Sequence, residues 1–258
     1  MVTNVDTPQH RFGPGPLGRR ELFLLAGSIG LAATGCSPSA DSAGPPAAAT
    51  NRSTFPSPAL LSSATPSAVM LCRDAWGARP ALAGGRPHTI DRMTIHHSAV
   101  ALPDNRQIIA RLQQHQRYHQ DDKGWVDIAY HAAVDRRGNI FALRDTAIAG
   151  DTATNYDPAG HFLVLCEGNF DDETVSEAQL DSAALVCAWA MREFGITVGT
   201  LASHREVTPV TSCPGDGLEA HLTSGDLQQR ITDIAASGFD LQPLCGPDAD
   251  ARVAAIQA

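Results

Sequence analysis

At 258 residues the chain can hold one large domain or two small ones, and 43% hydrophobic with 18% charged residues is an ordinary balance for a protein that buries a core. A formal net charge of −9 offers no concentrated basic face, which excludes nucleic acid as an expected partner. It excludes an anionic ligand only weakly, because a local cleft can differ in sign from the whole surface.

Residues 1–36 read as an export signal rather than as part of a fold. Arg19-Arg20 stands directly before an apolar run from Leu22 to Ala33 that is too short to span a bilayer as a mature helix. The arrangement resembles a twin-arginine (Tat) signal. The run ends in Ala33-Thr34-Gly35-Cys36, similar to a bacterial lipobox, which implies cleavage before Cys36 and lipid on its sulfur. The alternative is an ordinary thiol beside a plain signal-peptidase site. The chain is therefore expected at the cell envelope, as a membrane-anchored lipoprotein or a secreted protein. Residues 37–68, rich in Ser, Pro, Ala and Thr, bury too little apolar surface to offset their ordering entropy and are expected to be a flexible tether.

From Leu71 the texture becomes that of a folded domain, expected over 69–240 with a tail at 241–258. Arg92 to His96 is β-prone, and Asn105 to Gln120 carries Ile108, Ile109 and Leu112 at helical spacing. Ile128 to Val134 and Asn139 to Leu143 flank Asp135-Arg136-Arg137-Gly138, which predicts a hairpin. Phe162 to Cys166 is an apolar run of central-strand length. Ser176 to Phe194 predicts the longest helix, with a capping-box pattern at Ser176 and Gln179 and a stop at Gly195. Thr200 to Ser203 predicts another strand and Gly217 to Ser237 a closing helix. The fold class expected is α/β, a central mixed sheet flanked by helices.

Ten histidines by themselves say little, so position must separate them. His96 and His97 end a predicted strand, where successive side chains face opposite ways, and only one can face a given site. His204 also follows a predicted strand, and Cys213 lies nine positions later in a Pro-Gly turn that can fold back on it. Sulfur with imidazole nitrogen suits tetrahedral zinc with a fourth position left for water. His115 and His119 lie one helical turn apart, but no glutamate follows the first, so packing or surface roles are expected for them. His131 faces away from Tyr130 and is expected beside the site; His88, His161 and His221 lack supporting context.

Several motifs in order, from Arg73 to about Ile231, carry a family resemblance. They are Arg73-Asp74-Ala75-Trp76-Gly77-Ala78-Arg79-Pro80, Ile95-His96-His97-Ser98, Gly124-Trp125-Val126-Asp127-Ile128-Ala129-Tyr130-His131, and Asn155 with Gly160. Glu167-Gly168-Asn169-Phe170 follows, then His204-Arg205-Glu206-Val207 with Thr211-Ser212-Cys213-Pro214-Gly215. The chain resembles type-2 N-acetylmuramoyl-L-alanine amidases of the peptidoglycan recognition protein family, which also includes phage lysozyme-type amidases. The resemblance implies a single zinc-dependent amidase domain in which His96, His204 and Cys213 bind Zn2+. It implies Tyr130 and Thr211 as catalytic residues, and His97, Asn155 and Trp125 as substrate contacts. Asp127 and His119 match positions that support the site. The implied reaction is attack of a zinc-activated hydroxide on the amide joining N-acetylmuramic acid to L-alanine, with the Tyr130 hydroxyl stabilising the oxyanion. The implied partner is peptidoglycan or a muropeptide, met by a monomer.

Three departures stand out: eight residues separate His204 from Cys213, one more than in relatives, Thr152 replaces a family histidine, and Ala129 replaces a common glycine. The lengthened interval predicts a bulge in the loop from Thr208 to Ser212. Cys72, Cys166, Cys187 and Cys245 remain, and four cysteines allow three pairings. Cys166 with Cys187 and Cys72 with Cys245 are the spatially reasonable pairs, and each could equally be a small buried apolar residue. The rival functions are a muropeptide-binding module without catalysis and a metalloenzyme cutting another amide. Binding-only relatives typically lack the zinc cysteine, which is present here as Cys213.

Overall fold

The computed structural model describes residues 67–258. The expected export signal, Cys36 and all but the last two positions of the expected tether lie outside the described residues.

Seven strands make one mixed sheet: β1 (Ser67–Leu71), β2 (Arg92–His97), β3 (Ala132–Val134), β4 (Ile140–Ala142), β5 (His161–Cys166), β6 (Leu201–Ser203) and β7 (Asp240–Leu244). Their spatial order is β6-β2-β5-β3-β4-β1-β7. Every neighbouring pair is parallel except β3 with β4, the hairpin predicted around Asp135 to Gly138. Helices α1 (Ile108–Arg117), α2 (Glu177–Phe194), α3 (His204–Val207), α4 (Asp216–Thr223), α5 (Asp226–Ser237) and α6 (Gly246–Gln257) complete it.

β5 explains its own apolar run. Phe162, Val164 and Cys166 enter a core shared with α2 and α5, while Leu165 enters a second core shared with α1 and α6. A central parallel strand buried on both faces has no solvent side on which to place polar residues. The α/β class and the mixed sheet thus match expectation.

Three local expectations are corrected. The helix over Asn105 to Gln120 is three pieces, a 3-10 turn at Asn105–Gln107, α1, and a widened π turn at Tyr118–Asp122 that buries His119 and Gln120. The closing helix is two, because Gly225 takes a left-handed φ of 79° between α4 and α5. At α2 only half of the capping box forms. Ser176 Oγ accepts the Gln179 N–H at 3.2 Å, but the Gln179 amide is drawn away to the carbonyls of Val134 and Glu167.

The largest correction is the segment 241–258, which belongs to the fold. β7 pairs in register along the whole of β1, from Ser67 with Asp240 to Leu71 with Leu244. Ala249, Val253 and Ile256 form the buried stripe of α6 against Leu71 and Trp76. A disulfide joins Cys72 to Cys245 where the two segments meet, at a sequence separation of 173. Cys166 and Cys187 are free and buried, which settles their role as packing residues.

Candidate active site

β2 delivers His96. Met93 and Ile95 point into the core under α2, so Thr94 and His96 face the opposite side, where the cleft opens. His97 turns the other way: its ring lies over Phe170 at 6.1 Å between centroids, and its Nδ1 accepts the Phe170 N–H at 3.4 Å.

His204 opens α3, and the preceding residue holds it there. Ser203 Oγ accepts the Glu206 N–H at 3.2 Å while a Glu206 carboxylate oxygen accepts the Ser203 N–H at 2.6 Å, a full capping box. Cys213 arrives on a loop tied at several points. Thr208 donates to Asn155 Oδ1 at 2.6 Å, the Arg205 guanidinium donates to the Ser212 carbonyl, and Thr211 Oγ1 accepts the Cys213 N–H at 3.1 Å. Gly215 has φ 85°, and a Cβ there would meet Phe170 backbone at 2.7 Å and the His97 ring at 2.9 Å. Glycine is therefore required where the loop crosses beneath β2. The loop's tip, Val210, is 65% exposed, so the long interval is taken up toward solvent.

These supports gather three ligand atoms. One from each of His96, His204 and Cys213 lie within 4.8 Å of one another, and Cys213 Sγ is 3.7 Å from His96 Nδ1. The His97 backbone N–H also donates to the sulfur, at 3.4 Å. Burial pushes His96 well below the ordinary imidazole range and His204 down to about 4, so both rings are held neutral, the form that ligates a metal. Burial also pushes the Cys213 thiol up to about 12, so a cation must displace its proton. His96 Nε2 is buried with no hydrogen-bond partner among the described residues. Two neutral imidazoles and a thiol at this spacing are a donor set that fits zinc.

The cluster floors a cleft of about 520 Å³, within the range of small-molecule sites. Tyr130 lines it with its ring 5.2 Å from that of His96, and its hydroxyl makes no protein hydrogen bond among the described residues. Burial holds that phenol far above its ordinary range, so it keeps its proton. Trp125 forms part of the wall, 4.8 Å from the His119 ring, and Thr211 lines the cleft near the cysteine. Asn155 is exposed and lies outside the cavity lining, where it anchors the cysteine loop through Thr208.

His115 and His119, expected in packing or surface roles, both line the cleft. The shared helical face was legible, but its direction was not. His115 Nε2 lies 3.0 Å from Glu167, and His119 Nδ1 accepts the Ala129 N–H at 3.1 Å. Glu167, fully buried, also accepts from Ser98 and Arg111 at 2.9 Å each, tying α1 to the end of β5. Its only sequence signal was its place in the motif after the predicted strand. Asp127 is buried, paired with Arg73 at 2.8 Å and accepting from the Gln116 amide at 2.7 Å. His131 bridges the Leu163 N–H and the Ile148 carbonyl and serves the fold.

An α/β sheet carrying a His-His-Cys cluster at the floor of an open cleft is the architecture of a metal-dependent hydrolase or of a binding protein built on the same frame. The profile of the N-acetylmuramoyl-L-alanine amidase family (Amidase_2) matches residues 86–216. Mouse peptidoglycan recognition protein 1 is 32% identical over 171 residues, covering 62% of this chain and 89% of that one. Human N-acetylmuramoyl-L-alanine amidase is 31% identical over 156 residues, 57% of this chain but only 26% of the human protein. Among solved structures, the ectodomain complex of peptidoglycan recognition proteins LCa and LCx, bound to tracheal cytotoxin, aligns with TM-score 0.53 and 27% identity over 58% of this chain and 92% of that one. The chain belongs to the N-acetylmuramoyl-L-alanine amidase family, which places its cleft among peptidoglycan amidases and peptidoglycan-recognition proteins.

Proposed function

We propose that the protein is a zinc-dependent N-acetylmuramoyl-L-alanine amidase, cutting the amide between the lactyl group of N-acetylmuramic acid and L-alanine. The observation that carries this reading is the convergence of His96, His204 and Cys213 within 4.8 Å under a cleft lined by Tyr130. A related complex holds tracheal cytotoxin, which supports a muropeptide as the ligand class.

His96, His204 and Cys213 would hold the zinc. When bound, the metal supplies Lewis acidity and activates water near neutral pH. The chain's own residues do the rest. Tyr130, protonated and without a competing protein partner, donates its O–H to the carbonyl oxygen as negative charge develops there. Thr211 spends an acceptor lone pair on Cys213 N–H and keeps its hydroxyl hydrogen for the cleft. Trp125 and His119 give a wall against which substrate packs and from which water is excluded.

The same reading includes Tat export, lipid on Cys36 and a tether over the Ser/Pro/Ala-rich sequence that follows, which would let a monomeric domain reach the wall from the membrane. The rival is a cleft that binds muropeptides without cutting them, and Cys213 favours hydrolysis because it completes a three-donor set that would hold zinc with a position left for water. Zinc content and a soluble muropeptide separate the two. One zinc per chain with release of a peptide bearing a free L-alanine amine is expected; tight binding of intact muropeptide by zinc-free protein would overturn the enzyme.

A further inference from the structure

We propose that Thr154 is a positioning residue for His204 and that Thr152 completes a hydroxyl relay from that imidazole to the cleft. The inference rests on the zinc reading above and concerns how this chain's second imidazole is held to it.

The two imidazoles are secured differently. His96 stands on a strand paired on both sides, by β5 and β6, with its ring between those of His204 at 4.5 Å and Tyr130 at 5.2 Å. Its free nitrogen has no hydrogen-bond partner among the described residues, so packing alone orients it. His204 sits on a single turn of helix, its ring between those of His96 at 4.5 Å and Tyr156 at 5.2 Å, and unlike His96 it has a polar partner for its outer nitrogen. Its Nε2 lies 2.8 Å from Thr154 Oγ1. A hydrogen bond to the outer nitrogen is the usual means of fixing the tautomer and ring angle of a ligating histidine.

Counting hydrogens gives the relay a direction. If Nδ1 of a neutral His204 is to offer its lone pair, the ring proton must sit on Nε2 and be donated to Thr154 Oγ1. Thr154 then has one hydroxyl hydrogen, and its nearest acceptor is Thr152 Oγ1 at 2.8 Å. Thr152 Oγ1 also accepts the Thr154 backbone N–H, at 3.1 Å, which closes a tight turn and fixes the pair relative to each other. With its acceptor capacity used, the hydroxyl hydrogen of Thr152 is left over, and Thr152 lines the cleft. The opposite direction would put the ring proton on Nδ1 and block ligation. The chain thus spends one hydroxyl of the pair on the metal ligand and presents the other to the cleft.

The test measures zinc affinity of the full chain by chelator competition, with the visible absorption of the cobalt-substituted protein as a second readout independent of turnover. Thr154→Val, nearly isosteric, is expected to weaken zinc binding by about 10–100-fold and to alter the cobalt bands, the usual cost of losing an outer partner of a metal ligand. Thr154→Ser restores the hydroxyl and is expected to restore both. Thr152→Val should weaken zinc less than Thr154→Val but measurably. Wild-type zinc affinity and an unchanged cobalt spectrum in folded Thr154→Val overturn the proposal. If valine disturbs the fold, Thr154→Ala answers the same question by the same criteria. A wild-type chain that takes up no zinc would instead overturn the metal reading itself, a result distinct from equal affinities in wild type and variant.

Discussion

The sheet-borne and loop-borne halves of the cleft achieve the same precision by different means. His96 inherits its position from β2, locked between two parallel neighbours and buried on both sides. His204 and Cys213 arrive on short segments and are placed by individual hydrogen bonds: the Ser203–Glu206 box, Thr154, Thr211, and Asn155 through Thr208. A strand spreads its positional certainty over a ladder, whereas a loop concentrates it in a few contacts. Single substitutions should therefore damage the loop half selectively while leaving the fold standing.

The strongest break of that comparison is Cys213→Ser, which removes the soft ligand from the loop half. Zinc stoichiometry should fall from one to near zero and amide cleavage to background, measured by metal analysis and peptide release. Tyr130→Phe touches neither ligand half and sharpens the contrast. Zinc should remain while turnover falls by about 10²–10³-fold, the scale of losing one oxyanion donor; unchanged turnover would remove Tyr130 from the reaction.

Breaking the distant Cys72–Cys245 link, by Cys245→Ser, probes the sheet half at its far edge. Loss of a native disulfide closing so long a loop is expected to cost about 2–5 kcal/mol in denaturant unfolding, with zinc affinity unaltered because the site lies elsewhere. Acid reaches both halves. His131 is buried and pushed down to about 3, so between pH 6.5 and 3 the unfolded chain binds a proton that the folded one refuses. Stability is full above pH 6.5 and falls as pH drops, by about 1.4 kcal/mol per pH unit for one such histidine. His161, pushed down to about 4, steepens the loss in the same direction. The smallest effect is expected from Ser203→Ala, about 1 kcal/mol of stability from the lost cap, accompanied by weaker zinc binding because His204 is the next residue.

The same division decided what could be read from the sequence. His96, the hairpin, β5 and α2 announce themselves through alternation, apolar runs and caps, because long-range burial leaves a periodic trace. Within the site, the motifs located His204, Cys213 and Tyr130, yet nothing periodic marked Thr154, whose role depends on a side chain fifty residues away. His115 and His119 were seen to share a face, but only the π turn and the buried Glu167 show that the face looks into the cleft. β7 was missed because it is a short edge strand containing Pro243, and its partner β1 begins inside the Ser/Pro-rich composition. The 217–237 helix was overextended because Gly225 in a left-handed turn interrupts a pattern that otherwise continues.

The most direct measurement is product analysis of purified sacculi digested by zinc-loaded protein, with Cys213→Ser as the matched control. The account predicts free stem peptides with an unblocked L-alanine amine and intact glycan strands from the wild type, and neither from the variant. Sacculi left undigested by a wild-type protein that carries zinc, or equal digestion by Cys213→Ser, would contradict it.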